Sequence, residues 1–491
     1  MVQLEMRNGA PVYGNFINGE WTVPSETFEN TSPAKTSEIV AYHANGTAED
    51  ATRAIDAASE AFDSWRRMGA IERANILYKV SDLLTQRSGE IGRDLTREEG
   101  KTLKEGIGET LRAAGIFRYY AGEVLQPNGE HYPSANFKTM LFTQREPLGV
   151  IGMITPWNFP IAIPAWKIAP ALAYGNTVVI KPASAAPLCT MHLMQVLTDA
   201  GVPAGVVNAV TGPAGEVGNA LVEDERVIAI SFTGSSDVGR RIQAKAATRG
   251  AKVQLELGGK NPAIVMADAN MGQAVTGVIN GSMMSTGQKC TATSRAIVDR
   301  TIATEFTAAL EKRLGELVVG NPLEDGTNIG PLIDMDAADR VAREVESAMQ
   351  SGATHVTGGN RPESLNGGAF ITPALFTGVA SDSRLGQEEL FGPVLGVIEV
   401  DDLDEALAVA NSVKYGLSAS IFTSDLGKAM RFAREIQAGM VHINSETAGA
   451  EYQIPFGGYK GSSSYSREQG KAARDFYTQI KSIFMDEPPL A

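Results

Sequence analysis

The sequence predicts an α/β protein with two mostly parallel sheets, because short apolar runs alternate with helical segments twice along the chain. In the first half, strands are predicted at 150–154, 177–180, 206–210, 227–232, 253–257 and 263–266. In the second half, strands are predicted at 295–298, 394–400, 418–422 and 440–444, with helices at 303–317, 335–351, 403–413 and 426–438. We therefore expect a second α/β domain to follow the first.

The segments before residue 149 differ from this pattern. Short β-type runs and turn signals in the first fifty residues, including residues 15–21, predict a peripheral hairpin layer. Residues 47 to 125 show helical periodicity, and Thr47 followed by Glu49 and Asp50 is typical of a helix N-terminus. Residues 127–145 then alternate as an exposed strand, which needs a pairing partner.

Composition limits the classes of function. A net charge of -14 disfavours binding to nucleic acid or to anionic membranes. The most apolar stretch, 148–180, is broken by four prolines and Lys167, so it does not predict a membrane span. Two cysteines and five scattered histidines offer no metal-binding pattern, and this low cysteine content suits a reducing cytoplasm.

Cys290 lies in the small, polar segment Gly-Gln-Lys-Cys-Thr-Ala-Thr-Ser. A reactive thiol needs room for a substrate and nearby positive charge; Gly287 leaves room and Lys289 adds a charge. A semi-buried structural thiol fits this segment equally well. Cys189, in a helical and apolar context, fits a packed thiol.

Several other motifs could each carry chemistry, although each also has a plain structural explanation. The turn Ser231–Gly239 lies between a strand and a helix, where a phosphate could bind, although a helix cap fits too. Lys181 ends a buried strand and could contact a ribose or phosphate, or extend to solvent. Asn158 in Thr-Pro-Trp-Asn-Phe-Pro could donate to an oxyanion or simply form a turn.

Two carboxylates complete this set. Glu256 ends an apolar strand, where burial would raise its pKa towards that of a general base. A glutamate that faces solvent would explain Glu256 as well. Glu389 stands near Phe391, and the two could hold a ribose diol and a flat ring, although a plain turn explains this motif too. Together the motifs supply a thiol, an amide donor, a base and cofactor contacts for one reaction.

The segments TPWNFP, KPAS, SFTGSSDVG, LELGGKNP, GQKC, EELFGP and PFGGYKGS occur in the order seen in the NAD(P)-dependent aldehyde dehydrogenase superfamily, which the chain resembles from about residue 16 to 476. The resemblance implies a Rossmann-like cofactor domain at 1–127 and 147–264 and a catalytic domain at 265–462. It also implies a small β arm at 128–146 and 463–491 that joins subunits into a homodimer or homotetramer.

The resemblance also assigns roles. Cys290 would add to an aldehyde, Asn158 and the Cys290 N–H would hold the oxyanion, hydride would pass to the nicotinamide, and Glu256 would activate water to hydrolyse the thioester. Glu468 matches a carboxylate used in proton relay. For the cofactor, the resemblance implies that Lys181 and Glu389 hold ribose hydroxyls. Thr233, Gly234 and Ser235 form the glycine turn, in which Gly234 and Ser235 would contact the pyrophosphate. Phe391 would lie beside the nicotinamide, and Trp157 would lie in the cofactor cleft.

One departure bears on the cofactor. Many NAD-preferring relatives carry a glutamate three residues after the lysine, where this chain has Ser184. A serine can donate to a 2'-phosphate that a carboxylate would repel, so we expect NADP to be accepted and NAD or NADP to serve as cofactor.

The flanks of Cys290 and the segment after Pro455 look most like relatives that act on semialdehydes of small oxo-acids, including 2-oxoglutarate semialdehyde. Broad aliphatic or aromatic aldehyde oxidisers are also similar, and the sequence shows no cationic pair for a carboxylate. Pocket candidates are Phe159, Trp166, Thr291, Phe456 and residues 446–452. Two alternatives are a coenzyme A-acylating dehydrogenase, which Glu256 disfavours, and a catalytically silent protein of this fold, which the presence of Cys290 disfavours.

Overall fold

The computed structural model describes residues 4 to 488. The strands are β1 (Glu5–Arg7), β2 (Ala10–Tyr13), β3 (Phe16–Ile17), β4 (Glu20–Trp21), β5 (Thr27–Ser32), β6 (Lys35–Ala44), β7 (His131–Tyr132), β8 (Thr139–Pro147), β9 (Val150–Ile154), β10 (Thr177–Lys181), β11 (Val207–Ala209), β12 (Val227–Thr233), β13 (Lys252–Glu256), β14 (Asn261–Val265), β15 (Thr293–Asp299), β16 (Thr354–Thr357), β17 (Ala374–Thr377), β18 (Val394–Val400), β19 (Tyr415–Gly416), β20 (Ser418–Phe422), β21 (Met440–Ile443), β22 (Tyr459–Lys460) and β23 (Thr478–Asp486).

The helices are α1 (Ala48–Arg67), α2 (Ala70–Gln86), α3 (Ser88–Glu99), α4 (Leu103–Glu123), α5 (Ala162–Ala173), α6 (Leu188–Ala200), α7 (Asn219–Glu223), α8 (Ser236–Ala247), α9 (Met271–Met283), α10 (Ala303–Gly315), α11 (Met335–Gln350), α12 (Arg384–Gln387), α13 (Leu403–Asn411), α14 (Leu426–Glu435) and α15 (Ala473–Tyr477). A π-helical turn occupies Ala214–Gly218, and short 3₁₀ turns occupy Met284–Gly287 and Glu363–Leu365. Helix α1 begins as predicted, because Thr47 and Asp50 form a reciprocal capping box.

The first large sheet has the order β13-β12-β9-β10-β11-β3-β4, and strands β9 to β13 pair in parallel. Each strand predicted between residues 150 and 266 is present within two residues of its predicted ends. The strand predicted at 263–266, however, is β14 of the second large sheet and not part of this one, because it pairs with β15 and β20. The hairpin β3-β4 extends this sheet by pairing antiparallel with β11, so residues 16 to 21 do not belong to a separate peripheral layer as predicted. The separate N-terminal sheet has the order β1-β2-β6-β5.

The second large sheet has the order β16-β17-β18-β15-β14-β20-β21 and is parallel except for β16. Fully buried aliphatic and aromatic side chains fill both of its faces, including Phe306, Phe376, Phe422 and Phe432. The predicted α/β fold with two parallel sheets is therefore confirmed.

A third, small sheet has the order β23-β8-β7. Strand β8 supplies the exposed strand predicted near residues 137–144, and β23 is its partner through nine antiparallel residue pairs from Thr478↔Pro147 to Asp486↔Thr139. The C-terminal contribution to this sheet begins at Thr478. Residues 463–477 lie outside the sheet and pack beside the first large one, since Ser463 bridges Glu256 and Phe476 joins the core around α4 and α5.

Across residues 4 to 488, no helix combines the length and the hydropathy that crossing a membrane requires.

Candidate active site

The predicted residues of the first domain gather at the carboxyl edge of the first sheet. Strand β9 runs into Trp157 and Asn158, β10 ends at Lys181, and β13 ends at Glu256. The register aligns these ends, because Lys181 and Phe232 both flank Ile154 and Thr233 lies opposite Glu256. Ligands of parallel α/β sheets bind at this edge.

A cavity of about 260 Å³ opens at this edge and reaches the second domain. Eight of the twelve predicted site residues line it: Trp157, Asn158, Thr233, Gly234, Ser235, Cys290, Glu389 and Phe391. The predicted pocket residues Trp166 and Phe456 line it as well. The other four predicted site residues, Lys181, Ser184, Glu256 and Glu468, lie around the cavity without lining it.

The loop that carries Cys290 has an unusual backbone. Ser285, Thr286 and Gly287 have φ values of 52°, 54° and 69°, in the left-handed region that side chains disfavour. A Cβ on Gly287 would stand 2.3 Å from the carbonyl oxygen of Gly392, so only glycine fits there. Contacts from other segments hold the strained turn: the Ser285 N–H donates to Glu105 Oε1 at 2.7 Å, and the Thr286 hydroxyl donates to the Gly330 carbonyl at 3.1 Å.

The Cys290 thiol is partly exposed to the cavity. Burial raises its pKa to about 12, and the carboxylates of Glu389 and Glu256 add to the rise. The Nζ of Lys289 donates to the Asn280 carbonyl at 3.1 Å and makes no hydrogen bond to the thiol. The thiol is therefore protonated in this state, and it needs a base when it reacts.

Asn158 stands against the same loop. Its side-chain Nδ2 donates to the Gln288 carbonyl at 2.9 Å, and its backbone carbonyl accepts from Lys101 Nζ at 2.7 Å. An amide nitrogen carries two N–H groups, so one remains available beside Cys290. Asn158 and Cys290 line the same cavity, so this N–H is available to a group bound there.

Glu256 is buried, and its Oε2 accepts a hydrogen bond from Ser463 Oγ at 2.6 Å, while Oε1 has no partner among the described residues. Burial raises its pKa well above the usual carboxyl value, and the negative charge of Glu468 adds to this effect. A free oxygen atom on a carboxyl with a raised pKa suits a general base.

Glu468 belongs to a buried polar cluster that includes a residue the sequence analysis did not propose. Its Oε1 accepts from Lys167 Nζ and, at 3.2 Å, from Ser231 Oγ, and Lys167 also donates to Ser231 Oγ at 2.8 Å. Lys167 is fully buried on α5. A lysine inside an otherwise apolar helix was the available signal, but its partner lies 301 residues away.

The predicted phosphate turn differs in one detail from the expectation. The Gly234 N–H donates to the Glu256 carbonyl at 3.0 Å, so it is not free to bind a phosphate. Ser235 is exposed and precedes α8 without a side-chain cap, and Thr233 Oγ1 has no partner among the described residues. The first turn of α8 therefore offers the free N–H groups, and Gly234 provides only the close approach of the backbone.

Lys181 and Ser184 lie at the end of β10, on the opposite side of β9 from β12 and β13. Lys181 is buried, its Nζ donates to the Pro182 carbonyl at 3.1 Å, and burial lowers its pKa to about 8. Ser184 is exposed, and its hydroxyl donates to the Gly212 carbonyl at 3.3 Å. The two polar groups are three residues apart in the chain, just past the carboxyl end of β10.

Glu389 and Phe391 form the wall from the second domain. Glu389 Oε1 accepts the Gly259 N–H at 3.0 Å, and burial raises its pKa to about 7. Phe391 has a φ of 56° and meets Trp157 edge-on, with ring centroids 5.5 Å apart. Along the cavity therefore lie a carboxylate, the N-terminus of α8 and two aromatic rings, and Lys181 lies outside it at the end of β10.

Two further expectations concern the cysteines and metals. Cys189 is fully buried, and burial raises the pKa of its thiol well above the usual value, as expected for a packed thiol. Within residues 4 to 488, no three histidine, cysteine or acidic side chains come together as a metal site would require.

The chain matches the model of the aldehyde dehydrogenase family over residues 21–483. It is 48% identical to an alpha-ketoglutaric semialdehyde dehydrogenase of Bacillus subtilis over 96% of this chain and 98% of that protein. Its fold is similar to the crystal structure of an NAD-dependent aldehyde dehydrogenase from Sinorhizobium meliloti, with a TM-score of 0.95, 34% identity and coverage of 98% and 96%.

A structure described as an NADP-dependent enzyme of E. coli is similar too, with a TM-score of 0.94, 35% identity and coverage of 97% of this chain and 98% of that one. The family match and the structural similarity agree on the chemistry. The chain belongs to the aldehyde dehydrogenase family and is an enzyme that oxidises an aldehyde or semialdehyde with NAD or NADP.

Proposed function

We propose that this enzyme oxidises alpha-ketoglutaric semialdehyde, a five-carbon aldehyde that carries a carboxylate, to the corresponding dicarboxylic acid. The observation that carries the proposal is the 48% identity, over nearly the full length of both chains, to a relative named for that substrate. The aromatic walls Trp166 and Phe456 beside Cys290 fit a short, unbranched chain. A broad-range aldehyde oxidiser is the alternative.

The proposed reaction begins at Cys290. The thiol adds to the aldehyde carbon, its proton leaves to a nearby base, and Asn158 with the Cys290 N–H stabilises the oxyanion of the thiohemiacetal. A nicotinamide held beside Phe391 and Trp157 would supply the oxidising power, as the acceptor of the hydride from this carbon. The product on the enzyme is a thioester of Cys290.

Glu256 would release the acid. Its free Oε1 accepts a proton from water, the water oxygen attacks the thioester carbon, and the thiol leaves as the carboxylic acid forms. Glu468 and Lys167 lie beside Glu256 as a buried hydrogen-bonded cluster, which we propose carries the proton away. Transfer of the acyl group to coenzyme A is disfavoured because this base is present.

We also propose that Ser184 permits use of NADP, and that the sheet of β7, β8 and β23 joins subunits of a homodimer or homotetramer. Its exposed apolar side chains Met140, Ile480 and Phe484 support a subunit contact. Light scattering on the double variant Ile480→Asp, Phe484→Asp should show smaller particles than the wild type. Two unpaired cysteines further favour a reducing, cytoplasmic location.

The substrate is tested by measuring kcat/KM for a panel of aldehydes with each cofactor. We expect alpha-ketoglutaric semialdehyde to exceed pentanal, an uncharged aldehyde of the same chain length, by at least tenfold. Equal values for the two would support a broad-range enzyme instead. Product analysis with and without coenzyme A should give the free acid in both cases.

A further inference from the structure

Arg112 is a half-buried cation on α4 without a close acidic partner. No carboxylate of residues 4 to 488 lies within ion-pair distance of it. Its Nη2 donates a hydrogen bond to Gln469 Oε1 at 3.4 Å. Glu451 attracts it from farther away and is exposed. Glu109, one turn earlier, is already bound to Lys101 and to the Ile161 and Ala162 N–H groups.

Two buried donors near Arg112 also have no partner among the described residues. Gln469 is fully buried, and its Nε2 donates to no atom. Trp166 is 6% exposed, and its indole Nε1 also donates to no atom. Unpaired buried donors are costly, so a site with two of them beside a guanidinium is built for an acceptor.

Trp166 lies level with Arg112 because α4 and α5 run side by side in the same direction. Near its start, α4 places Glu109 on the first N–H groups of α5. Eleven residues later, Tyr120 lies near Tyr174, just past the end of α5. Advancing three to four residues from Glu109 and from Ala162 puts Arg112 and Trp166 on corresponding turns of the two helices.

Phe456 connects this donor group to the reacting thiol. Its ring lies 5.4 Å from the Trp166 ring, and both rings line the cavity that holds Cys290. Its backbone exchanges hydrogen bonds of 2.7 and 2.9 Å with Glu468, the residue before Gln469. Phe456 therefore lies between the thiol and the donor group, with Trp166 beside its ring and Gln469 next in the chain to its backbone partner.

The loop after β21 closes the same side. Thr447 donates to the Thr291 carbonyl at 2.7 Å, next to Cys290, and five residues later the Tyr452 ring lies against Gly115 on α4. This loop therefore spans the distance between the thiol and the turn of α4 that follows Arg112.

We propose that Arg112, together with Gln469 and Trp166, binds the substrate carboxylate that is remote from the aldehyde. The enzyme would thereby select semialdehydes of acids over uncharged aldehydes of equal length. This inference rests on the proposed function, because it assumes that a semialdehyde occupies Cys290. The sequence showed no such site because Arg112 and Gln469 are 357 residues apart.

The test compares Arg112→Met with the wild type on alpha-ketoglutaric semialdehyde and on pentanal. Loss of a charge-assisted contact should lower kcat/KM for the semialdehyde by about 10- to 150-fold, mainly through KM, and leave pentanal within about twofold. Arg112→Lys should restore part of the loss. Glutarate, an inert dicarboxylate, should inhibit the wild type competitively and Arg112→Met at least tenfold more weakly.

Arg118→Met is the matched control, because Arg118 lies on the same helix, is exposed, and pairs with Asp82 at 3.3 Å. It should behave as the wild type on both substrates. If Arg112→Met loses kcat/KM equally on both substrates, or on neither, the inference is wrong. The proposed function would still stand in that case, provided that the wild type prefers the semialdehyde. A wild type without that preference would overturn both.

Discussion

Replacing Asn158 by alanine should separate the catalytic role of its amide from its structural role. One N–H of Nδ2 donates to the Gln288 carbonyl at 2.9 Å, and the second is free to meet an oxyanion. Loss of one oxyanion donor costs about 2.7–4 kcal/mol in the transition state, or a factor of about 10² to 10³ in kcat. Leaving the buried Gln288 carbonyl unpaired costs about 1–3 kcal/mol of folding free energy.

The assay is steady-state aldehyde oxidation well below the unfolding temperature, with cofactor affinity and thermal unfolding measured on the same sample. We expect a large fall in kcat, a modest fall in Tm, and unchanged cofactor affinity. Asn158→Asp, which keeps the volume but places an acceptor where the donor was, should be at least as impaired. A kcat within threefold of the wild type in Asn158→Ala would refute the oxyanion role.

Three further predictions concern pH and the cofactor. Alkylation of Cys290 by iodoacetamide in the cofactor-free enzyme should accelerate about tenfold per pH unit from pH 7 to 10, because the pKa of about 12 keeps the thiol protonated. A rate that reaches a plateau near pH 8 would contradict this prediction. Preference for NADP over NAD should weaken as pH rises through about 8, since the lowered pKa of Lys181 removes its charge there, and a pH-independent ratio would exclude that role. Ser184→Glu should shift the kcat/KM ratio towards NAD at least tenfold, and an unchanged ratio would show that this position does not select the cofactor.

Local patterns predicted the strands well because a buried parallel strand is a short apolar run whatever its neighbours are. Glu256 is an example: its place at the end of an apolar strand correctly indicated the last residue of β13 and a raised pKa. The hairpin β3-β4 was misplaced because its membership depends on β11, nearly two hundred residues away.

Side-chain partners were harder to predict for the same reason. The Lys167 and Glu468 pair and the Arg112 and Gln469 pair each join positions more than three hundred residues apart. The Lys289 Nζ is held by the Asn280 carbonyl of α9, a contact that no charge pattern in the sequence reveals. Sequence motifs identified which groups take part, whereas hydrogen-bond availability, as at Gly234, came only from the fold.

The most direct test of the mechanism is the intact mass of Glu256→Gln after incubation with the aldehyde and oxidised cofactor. The amide introduced by this substitution keeps the shape of the side chain and an acceptor for Ser463, but it cannot take a proton from water, so hydrolysis should slow by about 10² to 10⁴. We predict one turnover of cofactor reduction and an acyl adduct on Cys290, which is absent in Cys290→Ala. Multiple turnovers at the wild-type rate without an adduct would contradict the assignment of Glu256 as the hydrolytic base.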